Sequence, residues 1–125
     1  MDAKKKILLI DDDMAMGKTL SDYLGKIGYE VHSALDGEKG FAEAKDWMPD
    51  IILLDMIMPV MNGMETLKAL REDPQTEKLP VIILTNVEMP EEVSEVMQMG
   101  SVYYLIKANY SMEDIEKKIK SVLAE

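Results

Sequence analysis

The sequence has no cysteine, only one tryptophan and one phenylalanine, and no long apolar run. Without cysteine the chain has no disulfide and no thiolate metal site, which is typical of a reducing compartment. The first apolar run, Ile7 to Ile10, follows three lysines and stops at three aspartates. It is therefore too short for a signal-peptide core or a membrane span. These absences predict a soluble cytoplasmic protein that does not associate with membranes.

Basic residues are scarce relative to acidic ones. The 125 residues include 14 basic and 24 acidic side chains, for a formal net charge of −10. This balance opposes non-specific electrostatic binding to nucleic acid or to anionic lipid. Apolar residues still make up 47% of the chain, which is enough for a core. We therefore expect residues 1–125 to form a single domain.

Strand-like and helix-like segments alternate along the chain. Uniformly apolar runs lie at Ile7–Ile10, Ile51–Leu54 and Val81–Leu84, and helical periodicity follows each of them. Together with two strand-like segments of mixed polarity, these runs make five strand-and-helix units. Such alternation predicts an α/β fold, with a parallel sheet covered by helices on both faces. The apolar runs are expected to be central, and the mixed segments Tyr29–Ala34 and Val102–Ile106 are expected at the edges. Right-handed crossovers then give a doubly wound, flavodoxin-like sheet with strand order 2-1-3-4-5.

Two helix boundaries carry clear sequence signals. Gly28 follows the first helical pattern and is expected to end that helix in the left-handed conformation. Ser111 is expected to cap the last helix, with Asp114 three residues later as a capping-box variant. Apolar spacing indicates a further helix around residues 93–97.

Polar residues follow the carboxyl ends of the predicted strands. Asp11, Asp12 and Asp13 follow the first strand. Single residues follow the third, fourth and fifth strands, namely Asp55, Thr85 and Lys107. Ligands bind beyond this edge of open α/β sheets, and clustered carboxylates favour a hard cation such as Mg²⁺. The pattern favours phosphoryl transfer to one carboxylate, with the hydroxyl and the ammonium holding phosphoryl oxygens. Asp13 is either part of this site or a solvated loop residue.

These segments closely resemble the receiver domain of bacterial two-component response regulators. The resemblance covers the whole chain and rests on five stretches in the expected order, namely Ile10–Asp13, Pro49–Pro59, Met61–Glu65, Val81–Thr85 and Tyr104–Lys107. It implies a signalling switch that catalyses only its own phosphorylation and dephosphorylation, and not an enzyme acting on other substrates. A sensor histidine kinase or a phosphotransfer protein would supply the phosphoryl group, and an unknown protein target would read the switch.

The resemblance assigns the phosphoryl chemistry to three side chains and the switch to a fourth. Asp55 would accept the phosphoryl group, Lys107 would pair with it, and Thr85 would hydrogen-bond to it. Thr85 would also draw the aromatic ring of Tyr104 inward. The expected result is a changed binding face made of the fourth helix, the fifth strand and the fifth helix. The chain would be a monomer or a weak phosphorylation-dependent dimer.

The same resemblance implies a Mg²⁺ cofactor at the acidic edge. Asp12, Asp55 and the backbone carbonyl of Ile57 would be its ligands. Asp11 would help to hold the ion through a bound water. This ligand set agrees with the preference of Mg²⁺ for oxygen ligands, for retained water and for phosphate.

Three departures from the family pattern stand out. Ala108 replaces the proline that usually follows the lysine, and Asn86 replaces a small residue. Val102 and Tyr103 replace an acidic pair, which weakens any inference about the dimers of DNA-binding relatives. A cis bond before a non-proline residue costs about 3–4 kcal/mol. We therefore expect a trans Lys107–Ala108 bond, with the flexible lysine stem still reaching the phosphoacceptor.

Other functions fit the sequence less well. Gly17-Lys18-Thr19 matches the end of a phosphate-binding P-loop, but Asp12 replaces the glycine required five residues earlier. Asp11-x-Asp13 resembles the haloacid dehalogenase type of aspartyl phosphatase. In that comparison Ala15 replaces the expected threonine or valine, and the chain has no room for a cap domain. A constitutive, receiver-shaped interaction module without phosphorylation is the remaining alternative.

Overall fold

A computed structural model describes residues 4–55, 62–85, 100, 102–106 and 111–123 of the chain. Five strands form one sheet, namely β1 (Lys6–Ile10), β2 (Glu30–Ala34), β3 (Ile51–Asp55), β4 (Val81–Thr85) and β5 (Val102–Ile106). Four helices are described, namely α1 (Met14–Ile27), α2 (Gly37–Trp47), α3 (Gly63–Glu72) and α4 (Met112–Leu123). The helix expected around residues 93–97 lies outside the described residues. None of the four described helices combines the length and the apolar content of a bilayer span.

The strands lie in the order β2-β1-β3-β4-β5, and every neighbouring pair is parallel. This confirms the predicted doubly wound, flavodoxin-like α/β sheet. Ile10 of β1 is in register with Leu54 of β3, and the next residue, Asp55, is in register with Leu84 of β4. The carboxyl ends of the three central strands therefore meet at one edge of the sheet.

The core has two halves, one on each face of the sheet. One half contains buried residues of α2 and α3, namely Ala44, Leu67 and Leu70. The other half contains buried residues of α1 and α4, namely Leu20, Leu24, Ile115 and Ile119. Successive residues of β1, β3 and β4 alternate between the two halves, as the period of two along a strand requires. This double burial explains why the three central strands are apolar throughout.

Both predicted helix boundaries are confirmed. Gly28 has a φ of 121°, and its N–H donates to the carbonyl of Gly25 at 3.2 Å, so a residue without Cβ ends α1. At the start of α4, the Ser111 hydroxyl accepts from the N–H of Asp114 at 3.2 Å. The Asp114 carboxylate accepts in turn from the N–H of Ser111 at 3.1 Å. This reciprocal pair is the expected capping-box variant.

A polar network joins α1 to α4 at the surface. The Tyr23 hydroxyl donates to Glu116 at 2.9 Å, and the Lys120 ammonium lies 2.8 Å from the same carboxylate. The hydrogen bond to Glu116 raises the pKa of Tyr23. The hydrogen bonds from Lys120 and from Tyr23 lower the pKa of Glu116. The folded state therefore favours a neutral phenol beside an ionised carboxylate.

We expect Tyr23→Phe to flatten the pH dependence of stability at both ends of the pH range. Because folding raises the Tyr23 pKa, this phenol stabilises the fold below its unfolded pKa of about 10. That contribution is lost as pH rises through the folded pKa. Folding lowers the Glu116 pKa, so its contribution is present above the unfolded pKa of about 4.3 and is lost as pH falls. Urea unfolding of parent and variant across pH measures both effects, and identical pH profiles would contradict the expectation.

Candidate functional site

Three carboxylates meet at the carboxyl edge of the sheet. Asp11 and Asp12 directly follow β1, and Asp55 is the last residue of β3. One carboxylate oxygen of each lies within 4.8 Å of the others. Asp11 is only 4% exposed, Asp55 is partly buried, and Asp12 is exposed. The structure thus brings together the three acidic residues that the sequence analysis selected.

The backbone after β1 explains how Asp11 is held and what Asp13 does. The N–H of Asp11 donates to the carbonyl of Ala34 at 3.0 Å, which extends the ladder between β1 and β2. The Asp11 carboxylate accepts from the N–H of Asp13 at 2.9 Å. The Asp13 carboxylate accepts from the N–H of Met16 at 3.0 Å and caps α1. Within the described part of the chain, Asp13 lies outside the carboxylate cluster, so we assign it to helix capping.

The donor set of this cluster fits a hard divalent cation. Three carboxylates within a few ångströms repel one another, and a cation between them removes that repulsion. The cluster supplies only oxygen ligands, whereas zinc sites use histidine nitrogen or cysteine sulfur. Mg²⁺ is bound by one or two carboxylates and keeps several waters, which leaves room for phosphate oxygens. The residues present therefore suit Mg²⁺.

We expect Asp12→Asn to weaken Mg²⁺ binding by at least about tenfold, because one charged ligand is lost. Asp13→Asn is the matched control, since it removes the neighbouring charge while asparagine can still cap α1. Calorimetric titration of the parent and both variants with Mg²⁺ measures the effect. Equal affinities in the parent and Asp12→Asn would remove Asp12 from the ligand set.

The other predicted site residues are described in part. Thr85 is the last residue of β4 and is in register with Ile106, so its backbone reaches the same edge as Asp55. Tyr104 lies on β5, is half-buried, and packs against the core half that contains α2 and α3. Four residues discussed above lie outside the described residues, namely Ile57, Asn86, Lys107 and Ala108. Their expected roles, and the expected trans Lys107–Ala108 bond, stay predictions.

The sequence analysis missed one local feature, a reciprocal cap at the start of α3. The Asn62 side chain accepts from the N–H of Glu65 at 2.9 Å, and the Glu65 carboxylate accepts from the N–H of Asn62 at 3.1 Å. This pair fixes the residue at which α3 begins. The spacing Asn-x-x-Glu is the signal that would have found it.

Known proteins share both the sequence pattern and the architecture. The model of the response regulator receiver domain family matches residues 7–120. The chain is 34% identical over 119 residues to Protein PilH of Pseudomonas aeruginosa, covering 95% of this chain and 98% of that protein. The solved structure of chemotaxis protein CheY4 of Vibrio cholerae is similar with a TM-score of 0.88 at 34% identity. That match covers 96% of this chain and 99% of the other.

Longer relatives match over only part of their length. The chain is 34% identical over 118 residues to the DNA-binding dual master transcriptional regulator RpaA of Synechocystis sp.. The match covers 94% of this chain but 48% of RpaA, so the chain spans about half the length of that relative. The DNA binding in its name is a property of RpaA. Since the family match spans most of the sequence and the fold agrees, the chain belongs to the response regulator receiver domain family, a family of two-component signalling modules.

Proposed function

We propose that residues 1–125 form a single receiver domain that switches its binding surface when Asp55 is phosphorylated. The observation that carries the proposal is the carboxylate cluster. Asp55 ends a strand whose preceding four residues are buried, so the sheet fixes its position. Asp11 and Asp12 approach it within 4.8 Å. A fixed carboxylate beside an acidic pair is what phosphoryl transfer to aspartate requires, because the reaction depends on positioning and charge neutralisation.

In the proposed mechanism the Asp55 carboxylate attacks the phosphorus of the donor. A new O–P bond forms as the donor's N–P or O–P bond breaks, and the electron pair leaves with the donor. Asp12, Asp55 and the Ile57 carbonyl would hold Mg²⁺, with Asp11 helping through a bound water, and the bound ion would neutralise phosphoryl charge. Two further groups hold phosphoryl oxygens, namely Thr85 and Lys107. The domain thus catalyses only its own phosphorylation and dephosphorylation.

The proposed partners are proteins. A sensor histidine kinase or a phosphotransfer protein donates the phosphoryl group, and a downstream protein reads the switched surface. The net charge of −10 opposes direct binding of this domain to nucleic acid or anionic lipid. We place the domain in the cytoplasm, as a monomer or a weak phosphorylation-dependent dimer.

Incubation with acetyl phosphate and Mg²⁺, followed by intact-mass measurement, tests the proposed function. The expected result is a gain of one phosphoryl group. No such gain is expected when a chelator removes the metal before the donor is added. A chain that gains no mass under these conditions overturns the proposal and favours a constitutive interaction module. Steady release of phosphate from simple phosphate monoesters would instead favour the aspartyl phosphatase.

The proposed switch runs through Thr85 and Tyr104. A hydroxyl drawn toward the phosphoryl group leaves space that an aromatic ring can fill. In such two-state systems the states differ by a few kcal/mol, so phosphorylation can invert their populations. Tyr104 is half-buried on β5 and packs against the core half that contains α2 and α3, so its ring lies at the boundary between core and solvent.

We expect phosphorylation to shift the NMR signals of β5 and of α4, which is the fifth helix of the sequence prediction. Thr85→Ala should remove most of that shift. Thr85→Ser is the matched control, because it retains the hydroxyl and should retain the response. Both variants should still gain one phosphoryl group by intact mass. Unchanged signals on β5 and α4 in the phosphorylated parent would argue against this coupling.

A further inference from the structure

Arg71 reaches from α3 to the segment that leads into β5. Its guanidinium donates to the carbonyl of Gly100 at 3.1 Å and, over a longer distance of 3.4 Å, to the carbonyl of Thr76. Gly100 lies two residues before Val102, the first residue of β5. Hydrogen bonds from a charged donor are about twice as strong as those between neutral groups. The Arg71 side chain therefore ties α3, the loop after α3 and the start of β5 together.

The loop that Arg71 contacts is itself held firmly on α3. Thr76 is fully buried, and its hydroxyl donates to the carbonyl of Leu70 in α3 at 2.6 Å. The N–H of Leu79 donates at 3.1 Å to the same Thr76 carbonyl that Arg71 contacts. Leu70 is also fully buried in the core. This loop and α3 therefore form a rigid base for the guanidinium.

The other end of the link joins a strand that the sheet holds on one side. β5 is an edge strand whose neighbour is β4, so one ladder of backbone hydrogen bonds holds it in the sheet. Gly100 has a φ of 76°, a left-handed conformation that glycine adopts without strain. Val102 and Tyr104 both pack against the core half that contains α3. The link from Arg71 thus adds a second attachment for β5, at its amino end.

We propose that Arg71 is a positioning residue of the switch, because it holds the amino end of β5 on α3 while the strand beyond it moves. Displacement after phosphorylation is then confined to Tyr104 and the residues that follow it. Without this anchor the edge strand takes up the displacement by shifting as a whole, and the ring of Tyr104 responds less. The inference rests on the proposed function, since it concerns how β5 responds once Asp55 carries the phosphoryl group.

Two variants remove the anchor and a third is the matched control. Arg71→Met keeps a long unbranched side chain that donates no hydrogen bond. Gly100→Ala disfavours the left-handed φ, so the carbonyl at position 100 should turn away from Arg71. Lys45→Met is the control, because the Lys45 ammonium lies 3.0 Å from Asp73 and ties the end of α3 to α2 instead of to β5. Circular dichroism verifies that all three variants fold.

Hydrogen exchange of the unphosphorylated proteins tests the anchor by itself. The backbone amides of β5 that bond to β4 should exchange about tenfold faster in Arg71→Met and Gly100→Ala, because a hydrogen bond to a charged group contributes about that factor to a local opening equilibrium. They should exchange at the parental rate in Lys45→Met. Unchanged exchange in Arg71→Met overturns the inference.

NMR spectra recorded with acetyl phosphate and Mg²⁺ test the role of Arg71 in the switch. In the parent and in Lys45→Met, the Tyr104 signal should shift while those of Gly100 and Val102 stay in place. In both test variants the Tyr104 shift should shrink and shifts should appear at position 100 and at Val102. Equal shifts at Gly100 and Tyr104 in the parent, or the parental pattern in Arg71→Met, overturn the inference. A parent that gains no phosphoryl group by intact mass overturns the proposed function itself.

Discussion

Asp55→Asn is expected to gain no phosphoryl group from acetyl phosphate and Mg²⁺, whereas the parent gains one. The amide has no anionic oxygen to attack phosphorus, and the variant also lacks one charge for the metal. Intact-mass measurement of both proteins gives the result directly. Asp36→Asn is the matched control, because Asp36 caps α2 by accepting from the N–H of Lys39 at 2.8 Å, a role that asparagine also fulfils. The control should be phosphorylated as fast as the parent.

The structure favours Asp55 over the other two carboxylates as the acceptor. Asp11 is 4% exposed and already accepts a hydrogen bond from the N–H of Asp13. Asp12 is exposed and lies in the turn between β1 and α1. Asp55 alone of the three belongs to a strand, and it is in register with Leu84 of β4, so the sheet holds its backbone in place. If Asp55→Asn is modified as readily as the parent, this assignment is wrong and peptide mapping would locate the true acceptor.

Strand order was predictable because burial differs sharply between central and edge strands. All four residues Ile51–Leu54 are fully buried, and a strand covered on both faces must be apolar throughout. In the edge strand β2, Glu30 and Ser33 are exposed, which breaks the apolar run. The convergence of Asp11, Asp12 and Asp55 was predictable for a related reason. The carboxyl ends of neighbouring parallel strands lie at one edge of the sheet. Residues at these ends therefore lie close together, independently of the conformation of the loops.

Contacts that depend on how α2 packs on the sheet were not predictable from the sequence. His32 of β2 and Trp47 of α2 stack with ring centroids 3.6 Å apart, and Glu43 lies 2.6 Å from the imidazole. Hydrophobic periodicity describes one helix or strand at a time. It does not predict which residue of a helix contacts which residue of a strand, because that contact depends on the angle and position at which the helix packs on the sheet. Sequence patterns placed the elements, and tertiary packing determined which side chains touch.

Gly40→Ala is expected to lower the free energy of unfolding by about 1–3 kcal/mol. An added Cβ would lie 2.5 Å from Cδ1 of Ile10, 2.7 Å from its Cγ1 and 2.9 Å from its Cγ2. Ile10 is fully buried, so it cannot yield without displacing the core around it. Alanine gains about 1 kcal/mol of helix propensity over glycine, and the clash should outweigh that gain. Since Ile10 directly precedes Asp11, the same displacement should also weaken Mg²⁺ binding.

Gly25→Ala in α1 is the matched control, because nothing lies within 4 Å of its added Cβ. It should stabilise the fold by up to about 1 kcal/mol, so the same substitution has opposite signs in two helices. Urea unfolding measures both changes. Ile10→Val removes the Cδ1 atom that would be closest, so Gly40→Ala should cost less in that background than in the parent. Such a double-mutant cycle isolates the contact between the two residues. If Gly40→Ala lowers the free energy of unfolding equally in the parent and in Ile10→Val, the close contact with Ile10 is not the reason that position 40 requires glycine.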